Sequence, residues 1–221
     1  MRSFLIVENK ISEAEFFLKK IKESGGGFDD VRYFFSAFLS ASRSVTIAIQ
    51  CCLSGHKDFD EWYKKHQKRL KENKIAKYML RARNESQKEA IYHINAVISS
   101  INLKREQHLT YFLDDVRGEL KERDAVKVCE DFFVQLLEIV YDCLRNFGPQ
   151  IDKLQYYTLE SLKKMGKSFE DIEEETGLPR GWTKGISDKE KLRVLQKETF
   201  GSAVDNLFIT YLHKNRFGDS A

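Results

Sequence analysis

Between Phe28 and Ser54 apolar side chains recur at helical spacing, with no proline or glycine to interrupt them. Phe28, Val31, Phe35, Phe38, Ser42, Val45, Ile49 and Cys52 mark one face, the repeat expected of an amphipathic helix. Phe34, Leu39, Ile47 and Leu53 add apolar groups on other faces, so protein should surround most of this helix. Ala37, Ser40, Ala41, Ser44 and Ala48 form a stripe of small residues that a second helix can approach closely. Arg32, Arg43 and Gln50 break the run, which argues against a membrane span.

The rest of the chain is arranged around that helix. Ser12-Glu13-Ala14-Glu15 reads as a capping box that opens a first helix. Gly25-Gly26-Gly27 ends it as a plain hinge, because no downstream Gly-Lys-Ser/Thr makes it a phosphate loop. A third helix is expected from Asp58 to Asn73, with Phe59, Trp62, Tyr63, His66 and Leu70 on its inner side. The next carries Ile75, Met79, Leu80 and Ala82. Residues 91–113 read as a short β-hairpin or a helix, since Ile94, Val97, Ile98 and Ile101 fit both periods. Asp114 to Asp124 reads as a connection. Ala125 to Phe147 has a broad apolar face and should end at Gly148-Pro149, with a further helix over Gln150 to Met165. Beyond Gly166 come an acidic turn capped by Ser168, an irregular link Gly177 to Thr183, and a long final helix from Ser187-Asp188 through Leu212. The expected fold is all-α in character: an antiparallel, bundle-like helical domain over residues 1–166 and a turn-and-helix extension over residues 167–221.

Composition changes this picture little. Sixteen phenylalanines are enough to fill a core. The net charge of +3 gives no strong push toward nucleic acid, so local clustering has to decide. The N-terminal apolar run is too short for a secretory signal, and a cytoplasmic protein with no membrane partner is expected. Cys51, Cys52, Cys129 and Cys143 lie in apolar helical patterns and read as buried, reduced thiols. The five histidines form no pair at ligand spacing, so neither a metal nor a cofactor is expected. Asp58/Asp60 and Asp114/Asp115 read as caps or solvated charge. No G-x-S-x-G, H-E-x-x-H or Walker loop occurs.

The most basic stretch lies on the third helix. Lys64, Lys65, Lys68, Arg69 and Lys71 occupy its outer side, and Lys74, Lys77, Arg81 and Arg83 carry the charge onward. Such a face is either solvated or in contact with phosphate, where each cation would release counterions and make binding salt-dependent.

Arg83-Asn84 in an all-helical chain resembles the HEPN domains, whose signature is R-x(4–6)-H and which are associated with RNA cleavage by dimerised chains. The resemblance implies an arginine that stabilises phosphate charge and a histidine that moves a proton. Positions five to seven after Arg83 are Lys88, Glu89 and Ala90, and the next histidine is His93. It therefore implies either an inactive relative or a ribonuclease using Arg83, Asn84 and a folded-back His93. A second resemblance covers about Met165 to Leu212. Gly177-Leu178-Pro179-Arg180-Gly181-Trp182-Thr183, then Gly201-Ser202-Ala203-Val204, is similar to the C-terminal end of cytosine-5 DNA methyltransferases. The Pro-Cys nucleophile and the cofactor loop of those enzymes are absent, so methylation is not implied.

The reading that follows is a non-catalytic binding or assembly module. It would touch RNA or DNA through the basic helix and pair as a homodimer along the central helix or its neighbours. A HEPN-like ribonuclease and a helical protein–protein adaptor are the alternatives.

Overall fold

The computed structural model describes residues 4–24, 28–101, 106–115, 118, 120, 123–199 and 203–216. The triple-glycine hinge and Gly201-Ser202 fall outside these residues. The described chain is mainly α, with one two-stranded antiparallel sheet.

Helix α1 spans Leu5–Glu23 and begins a full two turns before the expected Ser12. The apolar row explains the difference. Val7, Ile11, Ala14, Leu18 and Ile21 fall on one buried stripe, and burying its first members outweighs an early cap. Helix α2, Phe28–Leu53, lies along α1. Its expected face is the core: Val31, Phe35, Phe38, Ser42, Val45, Ile49 and Cys52 are all buried. By length and composition α2 could cross a membrane, but here that face packs on protein. Cys51 corrects the reading of four buried thiols, because it points outward while Cys52, Cys129 and Cys143 are buried.

Helix α3, Phe59–Glu72, and α4, Lys74–Glu89, meet at Asn73. The Asn73 side chain accepts the Ala76 amide at 3.0 Å, which caps α4. The inner face of α3 docks on the later helix α5, Ala125–Ile151. Trp62 Nε1 and His66 Nε2 both meet Asp142 Oδ2, at 2.7 and 2.8 Å, and Phe59 stacks on Tyr63. From α4, Gln87 donates to Ser40 on the small-residue stripe of α2 at 2.8 Å.

Helix α4 ends at Ala90, a non-glycine residue with φ of 54°. An L side chain there costs about 1–2 kcal/mol of left-handed strain, which exceeds the entropy a glycine would lose. Ala90→Gly should therefore raise stability by roughly 0.5–1 kcal/mol. Chemical denaturation at constant slope measures this, and a loss of stability would refute it.

Within 91–113 the strand alternative holds: β1, Ile94–Ile101, pairs antiparallel with β2, Glu106–Leu113. Ile94, Tyr111 and Leu113 turn inward, while Asn95, Val97 and Thr110 face out, the two-residue period of a half-buried sheet. The Tyr111 hydroxyl donates to Ser24 O at 2.7 Å and ties the sheet to the end of α1. Asp115 is not the solvated charge expected of it. It is buried against Arg81 and accepts the Leu120 amide at 2.8 Å.

Helix α5 runs past Gly148-Pro149, the expected stop, to Ile151, with Asp152 as its C-terminal cap. Pro149 lies in the last turn, and Gly148 leaves room for the Gln155 carboxamide, with which a Cβ would collide. Instead of one helix over Gln150 to Met165 there are two short ones, α6, Lys153–Tyr156, and α7, Leu159–Met165. Thr158 and Ser161 form a reciprocal capping box that restarts the chain. The acidic turn is helix α8, Phe169–Glu175, boxed by Ser168 and Asp171. The final helix is described as α9, Asp188–Thr199, and α10, Ala203–Leu207, the latter continuing into a π turn over Phe208–Leu212. Leu162, Ile172 and Leu195 make a small separate core for α7 to α9, whereas Val204, Leu207 and Phe208 join the main one.

Candidate functional site

Folding redistributes the basic charge. Of the five cations expected on α3, three have carboxylate partners: Lys65 with Glu61 at 3.5 Å, Lys68 with Glu72 at 4.0 Å and Arg69 with Glu138 at 2.6 Å. Lys64 and Lys71 have no such partner among the described residues. Exposed pairs of this kind contribute about 0–1 kcal/mol to stability, but they lower the positive potential that α3 offers outward.

Lys71, but not Lys64, stands at a cleft of about 320 Å³ between α2, α3, α4 and α5. Arg43 from α2, Lys71 from α3, and Lys77 and Arg83 from α4 stand in its lining, which includes no aspartate or glutamate. Its apolar wall comes from Leu39, Leu70, Met79, Phe132 and Leu136. Helical spacing puts the groups there. Leu39, Ser42, Arg43, Thr46 and Gln50 recur every three or four residues on α2, and Ala76, Met79, Leu80 and Arg83 do the same on α4.

Most polar groups of the lining are engaged. Arg43 Nη1 donates to Thr46 Oγ1 at 2.9 Å, Thr46 Oγ1 donates to Arg43 O at 3.0 Å, and Gln50 Nε2 reaches both Thr46 O and the Tyr63 hydroxyl at 3.0 Å. Burial pushes the Tyr63 hydroxyl above its ordinary range, so it stays protonated. Two buried atoms of the lining are not engaged. Ser42 Oγ and Arg83 Nε are buried with no hydrogen-bond partner among the described residues, and a buried polar atom left in that state costs about 1–3 kcal/mol.

Arg83 and Asn84 are adjacent in space as well as in sequence, with Arg83 Nη1 donating to Asn84 Oδ1 at 3.1 Å. His93 does not join them in the cleft. It is buried beyond α4, where its Nε2 meets the Glu85 carboxylate and its Nδ1 lies 3.1 Å from Asp114 O. Its carbonyl accepts from the Tyr78 hydroxyl at 2.8 Å. Sequence reasoning missed Arg43 and Ser42 as site residues. Both sit within the apolar run of α2, where an arginine reads as an interruption and a serine as part of the core face. Lys77 was legible only as more of the same positive charge.

Residues 5–105 match the family model described as Bacteriophage lambda protein ea47, a stretch that holds α1 to α4 and β1 and so every cation of the cleft. No curated protein and no solved structure matches the chain.

Proposed function

We propose that the chain is a non-catalytic binding module that holds phosphate groups of RNA or DNA at the cationic cleft. The observation that carries this reading is the lining, where four cations converge with no carboxylate among them. A concave site of one sign concentrates anions, and a nucleic-acid backbone offers them at the highest density, with counterion release as the driving force. Lys65, Lys68 and Arg69 are already compensated and contribute less. The similarity to Bacteriophage lambda protein ea47 supports a phage-associated role for the chain.

Fluorescence anisotropy of labelled single-stranded RNA and duplex DNA over a salt series tests the proposal. Affinity should fall with salt, and Lys71→Gln and Lys77→Gln should each lower the slope of log affinity against log salt by about one. Lys65→Gln and Lys68→Gln should lower it less. Absence of binding at low salt, or a slope indifferent to Lys71 and Lys77, overturns the reading. Cleavage of the probe that is lost in Arg83→Ala would put a ribonuclease in its place.

A further inference from the structure

We infer that the cleft seats a single nucleotide unit, with its phosphate on Arg83 and Ser42 and its base against the apolar wall. The inference rests on the phosphate reading above and names what enters the cleft.

The unengaged donors set the first requirement. Ser42 is 1% exposed and its hydroxyl has no partner; Arg83 Nε is likewise buried and unpartnered. They come from two different helices and stand in the lining of one cleft. The neighbouring Thr46, Gln50 and Tyr63 bond among themselves and leave these two open. Each of the two atoms has almost no surface open to water, so a ligand meets them only once the two side chains turn toward the cleft; a group that then accepts from both, in the field of Arg43, Lys71 and Lys77, is an anion with several oxygens.

The wall sets the second requirement. Leu39, Leu70, Met79, Phe132 and Leu136 offer nothing to an inorganic anion, so the ligand has an apolar or flat part as well. A fatty carboxylate would use that wall but brings one charge to four cations. A phosphate monoester brings between one and a half and two at neutral pH, to an order of magnitude. The volume of about 320 Å³ is at the small end for ligand sites. It admits one nucleotide but not a stacked run of bases or a duplex, whose bases are turned away from its phosphates. The unit is therefore a free nucleoside monophosphate or the phosphorylated end of a single strand.

Titration calorimetry with AMP, UMP and inorganic phosphate tests this, beside anisotropy of a short RNA with and without a terminal phosphate. AMP or UMP should bind saturably and at least about tenfold more tightly than inorganic phosphate, and Arg83→Gln should weaken that binding about tenfold, the value of a lost charge-assisted bond. Ser42→Ala should weaken it several-fold while leaving the melting temperature unchanged or raised, because it removes an unsatisfied buried hydroxyl; this separates lost binding from lost fold. No saturable mononucleotide binding, or binding unchanged in both variants, overturns the inference. If RNA still binds with its dependence on salt, Lys71 and Lys77 while mononucleotides do not, the inference fails and the backbone reading stands. If AMP binds and no RNA or DNA does, the backbone reading fails and the cleft is a free-nucleotide site. Competition by the phosphorylated RNA alone assigns the strand end as the source.

Discussion

Arg216→Met should cost about 3–5 kcal/mol of stability, the usual penalty for removing one partner of a buried ion pair. The guanidinium is 1% exposed. Its Nε and Nη2 fork onto the two oxygens of Asp205, at 2.7 and 2.9 Å, and its Nη1 reaches Asp152 Oδ2 at 2.6 Å. Burial opposes the charge, but the two carboxylates more than offset it and hold the guanidinium above its ordinary range. One side chain thus ties the segment after the π turn to α10 and to the C-terminal cap of α5. Methionine keeps much of the apolar stem but leaves two carboxylates facing each other, and Asp152, at 8% exposure, has little access to water. Urea denaturation at unchanged slope measures the loss. Adding Asp152→Asn to Arg216→Met should recover part of it, since the remaining group no longer carries a buried charge. A loss under about 1 kcal/mol for the single variant would mean that water reaches the pair and screens it.

Nothing in the linear pattern pointed to Arg216. It lies four residues after the last apolar residue of the final helix, where a chain end normally frays, and its partners are 11 and 64 positions away. The central helix was legible because its reasons are local. Val31, Phe35, Phe38, Val45 and Ile49 repeat with one period, and burial of that period defines the core. The hairpin was legible only as an alternative, because β-branched residues at 94, 97, 98 and 101 suit either period, and the strand state rests on pairing with 106–113 and on a bond from Tyr111 to Ser24, 87 residues away. The start of α1 was misplaced by giving a local cap more weight than a buried stripe, and the end of α5 by treating Gly-Pro as a stop where both residues lie in the last turn of the helix. The cleft was half legible. The clustered cations on α3 are visible in sequence, and so is the i,i+4 spacing that pairs Lys65 with Glu61 and Lys68 with Glu72, but the pairing of Arg69 with Glu138 and the meeting of Arg43 and Arg83 in one cleft are consequences of tertiary packing.

Glu173→Gln should release the Gly177–Thr183 link while leaving the main helical core intact. Glu173 is fully buried, and its carboxylate accepts the Thr183 amide at 2.7 Å, the Thr183 hydroxyl at 2.6 Å and the Gly181 amide. Burial alone would raise its pKa, but these bonds, with another from the Trp182 amide, outweigh burial and hold the carboxyl below the usual carboxylate range. The sign of the pH effect follows. A group whose folded pKa is depressed stabilises fully above its unfolded value of about 4.3 and loses that contribution as pH falls through the folded value. The link should therefore loosen in acid. Glutamine keeps the shape but replaces one accepting oxygen with a donor that faces backbone amides, at a cost of about 2–3 kcal/mol. The local core of Leu162, Ile172 and Leu195 is small, so this loss should exceed what the α7–α9 segment can absorb, and the segment should open before the rest of the chain. Amide hydrogen exchange at Gly181 and Thr183 reads this directly: protected at pH 7 in the wild type, exposed in Glu173→Gln, with α2 and α5 protected in both. Asp171 and Glu175 are also held low, by Ser168 and by Lys167 respectively, and add to the acid response of the wild type. The variant should therefore show a smaller acid transition, not none. Equal protection of the two amides in wild type and variant at pH 7 would assign the ordering of the link to its glycine and proline turns and not to the buried carboxylate.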